Sequence, residues 1–341
     1  MKILWITEFF PQSSKAEITG GVEARCFYVK RYLEKSGHDI QVLFRSKQGG
    51  TLSWSSLPLQ ALFLVRCFWT GLRTDFDLVE GTNFLTYFLA WILGVLKHRP
   101  VVFWYPDVFA GKWQEYVGII GIFGEFMEGF ILKLPGVFYI AISQTTKDKL
   151  IKNGVQERRI SVVYCGVEPI ILKRSEKYDI CAVSRLVKYK HLDDLIAATK
   201  NFKVVIIGQG PEEKKLRQLA GNNVRFFGFV KKHEDVLKII ASSKILCHPS
   251  MVEGFGIVVI EAASLGVPYV ARDIPVISEV THNGLGGLLF KNNLGENINK
   301  LLTNKKLYAK KSLEAKKLVA NYYWEKSARE TVIIYEDLLS H

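Results

Sequence analysis

The feature that most constrains the fold is a repeated alternation of short apolar runs and helical patterns. Near the start, an apolar run at Lys2–Ile6 precedes a helical pattern at Val22–Lys35 and a second apolar run at Asp39–Phe44. The alternation restarts in the second half, with predicted strands at Ile180–Val183, Lys203–Gly208, Val224–Phe227, Ile245–His248 and Pro268–Ala271. Strands that alternate with helices predict parallel sheets covered on both faces. We therefore predict an α/β fold with two Rossmann-like, doubly wound parallel-sheet domains.

A polar break near the middle of the chain separates the two halves. Gly166–Glu168 is followed by the charged segment 172–178, where neither strand nor helix patterning continues. A length of 341 residues also favours two domains of ordinary size. We predict a first domain at residues 1–172, a second at 173–321 and a final helical segment at 322–341.

The charge balance limits the class of partner. The chain has 46 basic and 33 acidic residues, which gives a formal net charge of +13. The longest uncharged apolar run, Phe84–Leu96, has 13 residues, whereas a bilayer span needs about 20. A basic surface beside apolar stretches favours peripheral attachment to an anionic membrane surface. Nucleic acid is the rival partner, but no known nucleic-acid-binding motif supports it.

The expected location follows from cysteine usage and from the first residues. Five scattered cysteines without C-x-x-C spacing favour a reducing compartment. The apolar run Met1–Ile6 is too short for a signal peptide. A further segment at 113–138 carries many large apolar side chains with lysines at its ends, which suggests lipid contact in addition to core packing. We expect a cytoplasmic protein that is peripheral at the cytoplasmic face of the membrane.

The stretch Pro249–Gly266 has the strongest chemical signal. Glu253 and Glu261 stand eight positions apart, and Gly254 and Gly256 follow the first of them. The apolar run Ile257–Leu265 predicts a buried helix that begins after a glycine turn, and such a helix start binds anions, most often phosphate. Glu261 lies within that apolar helix and needs a hydrogen-bonded partner to remain ionised. The alternative is a core helix with a solvated Glu253 and a salt-bridged Glu261.

Several strand ends carry further candidates, because open α/β sheets bind ligands at the carboxyl ends of their strands. Arg185 and Lys190 would place cations after the first strand of the second domain, and Gly208 and Gly210 would allow close backbone approach after the next. In the first domain the candidates are Gly20-Gly21 at a helix start and Asp107 after the run Pro100–Tyr105. Asp107 is equally well explained as a cap, and Gly20-Gly21 as a flexible loop end.

Two other site types are disfavoured. No G-x-G-x-x-G follows the first strand, so a nicotinamide dehydrogenase is unexpected. Asp75-Phe76-Asp77 has the spacing of a metal-binding D-x-D, but its apolar neighbours indicate the start of a strand. We predict no metal site. His248, at a later strand end, is better explained as a histidine at the edge of the core than as a sugar contact.

Taken together, the motifs resemble those of the family-4 retaining glycosyltransferases of the GT-B fold. The family motif E-G-F-G-x-x-x-x-E-A stands at Glu253–Ala262, with S-R-L-x-x-x-K at Ser184–Lys190 and G-x-G-P at Gly208–Pro211. The supporting motifs, in chain order, are Gly20–Glu23, Ala141–Lys147, Gly166–Glu168, Val224–Val230 and Gly266–Pro268. The resemblance covers nearly the whole chain, and its strength lies in the complete set in the right order.

The resemblance implies two Rossmann-like domains facing across a cleft, with a nucleotide-sugar held by the second. Glu261 would bind the ribose hydroxyls, Glu253 would lie by the hexose, and Arg185 and Lys190 would neutralise the diphosphate. Further contacts would come from Gly254, Phe255, Gly256, Ile257 and Val258 to sugar and phosphate, from Phe229 and Val230 to the base, and from Gly20 and Gly21 to the phosphates. The last helix, Trp324–Leu339, would return to the first domain.

The resemblance also implies an activity, namely transfer of a hexose from a UDP- or GDP-sugar to a lipid-linked or cell-surface glycan, with no cofactor or metal. One departure concerns Tyr105-Pro106-Asp107, where many family members carry His-Asp, so that Asp107 takes the place of the histidine contact. Another is Tyr164-Cys165, where Pro-Asn is usual. The alternatives are a nucleotide-sugar epimerase on the same fold and a non-catalytic protein that binds sugar or nucleic acid.

Overall fold

The computed structural model describes residues 1–11, 18, 20–45, 57–114, 118 and 121–340. These residues divide into two compact units. The first contains the initial strand, Gly20–Tyr164 and the helix that begins at Trp324, and the second contains Cys165–Tyr323. Of the predicted apolar segment 113–138, residues 115–117, 119 and 120 lie outside the described part of the chain.

The first unit is built on a parallel sheet of six strands in the order β2-β1-β3-β4-β5-β6. Its strands are β1 (Lys2–Thr7), β2 (Asp39–Phe44), β3 (Leu78–Gly81), β4 (Val101–Tyr105), β5 (Val137–Ala141) and β6 (Ile160–Val162). Its helices are α1 (Gly21–Lys35), α2 (Leu57–Arg73), α3 (Phe84–Lys97), α4 (Gly121–Ile131), α5 (Gln144–Lys152) and the closing helix α13 (Trp324–Ser340). Every residue of β4 is buried, as expected for a central strand covered on both faces.

Strand order decides which helices share a face of this sheet. From β1 to β2 the chain moves toward one edge of the sheet, and from β2 through to β6 it moves toward the opposite edge. Each crossover is expected to be right-handed. Helix α1 therefore lies on one face and α2 to α5 lie on the other. The contacts agree, since α1 packs on α13, α2 packs on α3, and α3 packs on α4. Within the described residues, no helix combines the length and apolar character that a membrane span requires.

The second unit repeats this plan with strand order β12-β11-β10-β7-β8-β9, all parallel. Its strands are β7 (Tyr178–Val183), β8 (Val204–Ile207), β9 (Val224–Gly228), β10 (Ser243–His248), β11 (Tyr269–Arg272) and β12 (Gly287–Phe290). Its helices are α6 (Leu192–Ala198), α7 (Glu213–Leu219), α8 (His233–Ala241), α9 (Ile257–Ser264), α10 (Pro275–Val280), α11 (Leu294–Thr303) and α12 (Lys305–Leu318). The predicted α/β class with two doubly wound parallel sheets is confirmed. The acceptor-side and donor-side roles of the two units stay predictions.

A buried polar network ties α13 to the first sheet. Arg25 of α1 forms a two-pronged ion pair with Glu80 of β3, and the exposed fractions of these residues are 2% and 0%. Tyr335 of α13 donates its hydroxyl hydrogen to Glu80, and the same hydroxyl accepts from Trp5 Nε1 at 3.2 Å. The Arg25 guanidinium also lies 4.4 Å from the ring centroid of Trp5. These contacts join α1, β1, β3 and α13.

The network predicts a large stability cost when one charge is removed. Glu80→Ala leaves the Arg25 guanidinium buried without its counter-ion, and loss of one partner of a buried pair costs about 3–5 kcal/mol. Urea unfolding should show this loss, and the double variant Arg25→Met/Glu80→Leu should recover much of it. Glu325→Ala, which breaks the exposed Glu325–Arg329 pair on α13, is the control and should leave the unfolding midpoint unchanged. Equal effects of Glu80→Ala and Glu325→Ala would contradict this interpretation.

Candidate functional site

Glu253 lies in the loop between β10 and α9, with two basic side chains against its carboxylate. Lys190 Nζ donates to Glu253 Oε1, and His248 Nε2 lies 2.8 Å from the same oxygen without an aligned hydrogen bond. The Glu253 side chain is only 14% exposed. Burial opposes its ionisation, but the charges of Lys190 and His248 outweigh burial and hold the pKa of the Glu253 carboxyl well below its usual range. Glu253 is therefore ionised throughout the neutral pH range.

The backbone after Glu253 turns directly into helix α9. Gly256 has a φ of +82°, a left-handed conformation that favours glycine, whereas a Cβ at this position would meet only the end of the Ile277 side chain at 2.5 Å. Gly256 has no side chain with which to cap the helix, and its backbone carbonyl accepts from Val259 N at 2.9 Å. Phe255 and Val258 are buried, whereas Gly254 and Ile257 are partly exposed. The predicted glycine turn and helix start are confirmed, and anion binding there stays a prediction.

Glu261, on the second turn of α9, has the partner that its burial requires. His233, the first residue of α8, places Nε2 at 3.1 Å from Glu261 Oε1. Glu261 is 7% exposed. Burial would lower the pKa of His233, but the charge of Glu261 and the contact between them raise it above its usual value. The two side chains form an ion pair when His233 is protonated.

The cationic loop after β7 holds Arg185 and Lys190 in different environments. Arg185 is exposed, and its Nη2 donates to Tyr189 Oη at 2.7 Å. Lys190 instead turns to Glu253, with its Nζ 5.4 Å from the ring centroid of Tyr189. The backbone carbonyl of Tyr189 accepts from Met251 N at 2.9 Å, which joins this loop to the loop that carries Glu253. Tyr189 therefore contacts both cations and the neighbouring loop.

The two glycines after β8 have a packing role within the protein. Gly208 has a φ of +134°, and a Cβ there would lie 1.8 Å from the carbonyl oxygen of Ser184. At Gly210 a Cβ would lie 2.3 Å from the carbonyl oxygen of Leu186. The loop after β8 thus packs directly on the backbone of the loop after β7. This packing alone requires glycine at positions 208 and 210. Close approach of a ligand to Gly208 and Gly210 stays a prediction.

Phe229 and Val230, predicted to meet the base, directly follow β9 and are half-buried. Gly208 N donates to Gly228 O at 2.8 Å, so the ends of β8 and β9 are tied together next to them. In the first unit, Gly20 precedes α1 with an extended φ of −170°, and a Cβ at Gly20 or Gly21 would meet nothing within 4 Å. The extended conformation of Gly20 does not require glycine, and neither does the packing around Gly20 and Gly21. A ligand contact at these two residues stays a prediction.

Asp107 follows β4 and is paired within the first unit. Lys149 of α5 donates to Asp107 Oδ1 at 2.6 Å, and Val108 N donates to the same oxygen at 2.9 Å. Asp107 is 7% exposed, whereas the Lys149 side chain is 34% exposed. The carboxylate thus both caps the turn that follows and binds a cation, and its contact with an acceptor stays a prediction.

A second buried carboxylate lies beside the Asp107 loop. Glu128 of α4 accepts from Tyr105 Oη and from Trp113 Nε1, both at 2.7 Å, and from Phe109 N at 3.1 Å. Burial raises the pKa of Glu128, although these three donors oppose that effect. The sequence motifs did not indicate four residues of these clusters as candidate site residues, namely Glu128, Lys149, His233 and Tyr189. The only available signal was general, namely that a buried carboxylate must have a partner.

The candidate metal ligands are engaged elsewhere or lie at the surface. Asp75 pairs with Lys2 Nζ at 2.7 Å, and Asp77 accepts from Lys2 N at 2.7 Å, immediately before β3. The predicted start of a strand at Asp75–Asp77 is therefore confirmed. Within the described ranges, one group of possible ligands stands together, His191 with Asp193 and Asp194, and Asp194 already pairs with Arg272 at 2.9 Å.

Comparisons with known proteins agree with this architecture. Residues 19–169 match the family model described as Glycosyltransferase Family 4, and residues 168–318 match the model described as Glycosyl transferases group 1. An uncharacterized glycosyltransferase of Methanocaldococcus jannaschii is 26% identical over 309 residues, which is 81% of this chain and 79% of the relative. The O-antigen chain mannosyltransferase RfbU of Salmonella typhimurium is 29% identical over 273 residues, or 74% and 73% of the two chains.

A solved structure shows the same fold. The Anabaena protein HepE in complex with UDP-glucose has a TM-score of 0.78 at 19% identity, covering 99% of this chain and 100% of that one. The chain is therefore a glycosyltransferase of the GT-B fold, and the two family-model matches support its place in family 4. The predicted enzyme class and fold are confirmed.

The packing of Gly208 predicts that alanine is not tolerated there. Gly208→Ala would force a β-carbon against the Ser184 carbonyl and strain the backbone at a φ of +134°, which together should cost about 2 kcal/mol or more. Thermal unfolding should show a lower midpoint. Gly20→Ala is the matched control, because its β-carbon meets nothing within 4 Å, and its midpoint should be unchanged. A stable Gly208→Ala variant would contradict the packing role.

The His233–Glu261 pair predicts a pH-dependent contribution to stability. Because the folded-state pKa of His233 is raised, its contribution is complete below the unfolded pKa and is lost as the pH rises through the folded pKa. The stability difference between wild type and His233→Asn should therefore be larger at pH 6 than at pH 9. Burial lowers the pKa of His38, so His38→Asn is a control with the opposite sign. A His233→Asn effect independent of pH would contradict the pairing.

Proposed function

We propose that this glycosyltransferase moves a hexose from a UDP- or GDP-hexose to a hydroxyl of a lipid-linked or cell-surface glycan. The transfer retains the anomeric configuration and uses protein cations where other enzymes use a metal ion. The observation that carries the proposal is the arrangement in the second unit of two carboxylates, the partly buried Glu253 and the buried Glu261, on either side of a helix start without a side-chain cap. Charges and helix N–H groups placed there suit a nucleotide diphosphate with a sugar attached.

Glu261 is assigned to the ribose of the donor. A carboxylate accepts hydrogen bonds from two neighbouring hydroxyls, and such charge-assisted bonds are about twice as strong as neutral ones. His233 contacts Oε1 of Glu261 at 3.1 Å, which orients the carboxylate before the donor binds. We assign Oε2 to the ribose hydroxyls. This role gives a functional reason for a carboxylate within a helix whose neighbouring residues are buried and apolar.

The diphosphate is assigned to the start of α9 and to Arg185. The N–H groups of Ile257 and Val258 belong to the first turn of α9, where the helix dipole also favours an anion. Arg185 is exposed at the end of β7 and is held by Tyr189. Lys190 donates to Glu253, so we assign it to the side of the diphosphate nearest the hexose, where Glu253 keeps it in position.

The transfer step follows from these assignments. The bond between the anomeric carbon and the diphosphate oxygen breaks, and Arg185, Lys190 and the helix start stabilise the negative charge that grows on the leaving diphosphate. The acceptor hydroxyl oxygen bonds to the anomeric carbon from the same face. Its proton passes to an oxygen of the departing diphosphate. Glu253, held by two basic side chains, orients the hexose hydroxyls during this exchange.

Two similar proteins support the acceptor and donor classes. RfbU, the Salmonella relative, is named for the O-antigen chain, which supports a glycan acceptor. The Anabaena neighbour was solved with UDP-glucose, which supports a UDP-sugar as donor. In the first unit, Asp107 is assigned to the acceptor, and Gly20 and Gly21 are assigned to a ligand contact.

The test is nucleotide release from a panel of UDP- and GDP-hexoses, with and without a membrane glycan extract. Glu261→Ala should raise the donor KM by roughly tenfold or more, through loss of two charge-assisted hydrogen bonds. Arg185→Ala should mainly lower kcat, by about 100-fold, because its charge acts on the leaving group. Glu234→Ala, an exposed carboxylate on α8, is the control and should leave both constants unchanged.

The proposal fails if no nucleotide-sugar binds or if Glu261→Ala behaves like Glu234→Ala. Conversion of the donor to another sugar nucleotide, without transfer to the extract, would indicate an epimerase instead. An inverted anomeric centre in the product would remove the retaining mechanism and leave the donor site in place.

A further inference from the structure

Three neighbouring helices of the first unit expose an unusual amount of apolar surface. Among the described residues, eleven of the seventeen large hydrophobic side chains that are exposed lie on α2, α3 and α4. They are Leu59, Leu62, Val65 and Trp69 on α2, Phe88, Val95 and Leu96 on α3, and Ile122, Phe123, Phe126 and Phe130 on α4. On the opposite face of the sheet, where α1 and α13 pack, Ile333 is the one such residue in the described chain. Apolar exposure concentrated in this way marks an interaction surface.

The exposed side chains form one surface because the three helices lie side by side. A Cβ at Gly71 of α2 would lie 2.4 Å from Leu93 Cδ1 of α3, which shows how closely these two helices pack. Phe88 of α3 contacts Phe130 of α4, with ring centroids 5.8 Å apart. Each helix also has a buried face toward the sheet, including Phe63, Leu93 and Ile131. The exposed residues are therefore the outer side of amphipathic helices and not misplaced core.

Charge in and around these three helices is mostly positive. The exposed charged residues of 57–114 and 121–136 are Arg66, Arg73, Arg99, Lys112 and Lys133, against one exposed acid, Asp75, which pairs with Lys2, and the partly exposed Glu125, which accepts from Gly111 N. Trp69 and the phenylalanines add the aromatic side chains favoured at the boundary between headgroups and acyl chains. Apolar side chains flanked by cations match an anionic bilayer surface, which offers acyl chains beneath negative headgroups.

We infer that α2, α3 and α4 form a docking face for an anionic lipid bilayer, and that α4 connects this face to the loop at Asp107. On one side α4 exposes Phe123 and Phe126, with exposed fractions of 65% and 72%. On its other side Glu125 accepts from Gly111 N, and Glu128 accepts from Phe109 N at 3.1 Å. Two carboxylates of the docking helix thus hold the backbone of residues 109–111.

This connection specifies the acceptor more narrowly. A helix that rests on the bilayer and positions the Asp107 loop suits an acceptor whose sugar hydroxyl is presented from a lipid in that bilayer. The acceptor part of the inference rests on the proposed function, whereas the docking face does not. The acceptor class is therefore an amphiphile with a sugar head and a membrane-embedded anchor.

Co-sedimentation with vesicles of phosphatidylcholine mixed with phosphatidylglycerol tests the docking face. The full chain should bind these vesicles, bind phosphatidylcholine alone more weakly, and lose affinity at high salt. Phe123→Ser/Phe126→Ser should weaken binding by about tenfold or more through lost apolar insertion. The control is Leu313→Ser/Ile333→Ser, which removes two equally exposed apolar side chains from other surfaces.

A charge-reversal pair tests the electrostatic part. Arg66→Glu/Lys133→Glu should weaken binding to the anionic vesicles by about tenfold or more. Lys305→Glu/Lys306→Glu changes the net charge equally at exposed positions elsewhere and should have little effect. Absence of vesicle binding, or equal losses in test and control variants, would overturn the inference. So would self-association in the absence of lipid that Phe126→Ser abolishes, because a second copy would then cover the face.

Hydrogen exchange tests the connection through α4. Vesicles should slow exchange of the Phe109 and Gly111 amides, which donate to α4, and the Phe123→Ser/Phe126→Ser variant should not show this change. Unchanged exchange in the wild type would overturn the connection. Calorimetric titration with UDP and GDP separates this inference from the proposed function. If neither nucleotide binds while vesicle binding follows the pattern above, the donor assignment fails and the docking face stands.

Discussion

A carboxylate that leaves water must gain partners, and this requirement organises both units of the protein. In the second unit Glu253 has Lys190 and His248. In the first unit Glu80 pairs with Arg25 and accepts from Tyr335, and the bond from Tyr335 fastens the closing helix to the central sheet. An unpaired buried charge costs several kcal/mol, so each of these partners is nearly obligatory once the carboxylate is buried.

The same requirement leaves charges in place at the candidate site before any substrate arrives. Lys190 is held by Glu253, Arg185 by Tyr189 and Glu261 by His233, so that three charged side chains are already oriented. Preorganised charges stabilise a developing anion without the cost of rearranging solvent during the reaction. With the donor assigned as proposed, its diphosphate would join the existing Lys190–Glu253 pair and would not meet an isolated cation.

Most of the fold could be predicted from the sequence because strands buried on both faces appear as continuous apolar runs. The runs at Lys2–Ile6 and Ile180–Val183 lie within largely buried strands, and the run Asp39–Phe44 coincides with the edge strand β2, which is only partly buried. The partners of the buried carboxylates could not be predicted in this way. Asp107 and Lys149 are 42 positions apart, and no local period connects them.

The glycines and the apolar helices show a second kind of limit. Gly208 stands in a recognisable motif, but close approach of a ligand and close approach of a neighbouring backbone would each explain a glycine there. Only the structure shows that the Ser184 carbonyl lies beside it. Their apolar content indicated Phe84–Leu96 and segment 113–138 as candidates for membrane contact. Apolar content alone does not show which side of a helix is exposed. The exposed Trp69 shows that α2 also belongs to the apolar docking face, although the sequence pattern of α2 did not indicate this.

The most direct test of the account is an experimental structure of the full chain with UDP or GDP bound. The account predicts the ribose hydroxyls on the Glu261 carboxylate and the diphosphate at the N–H groups of Ile257 and Val258, within reach of Arg185. It also predicts that Glu253 remains paired with Lys190. A nucleotide bound elsewhere on the chain, or a ribose that does not touch Glu261, would contradict it.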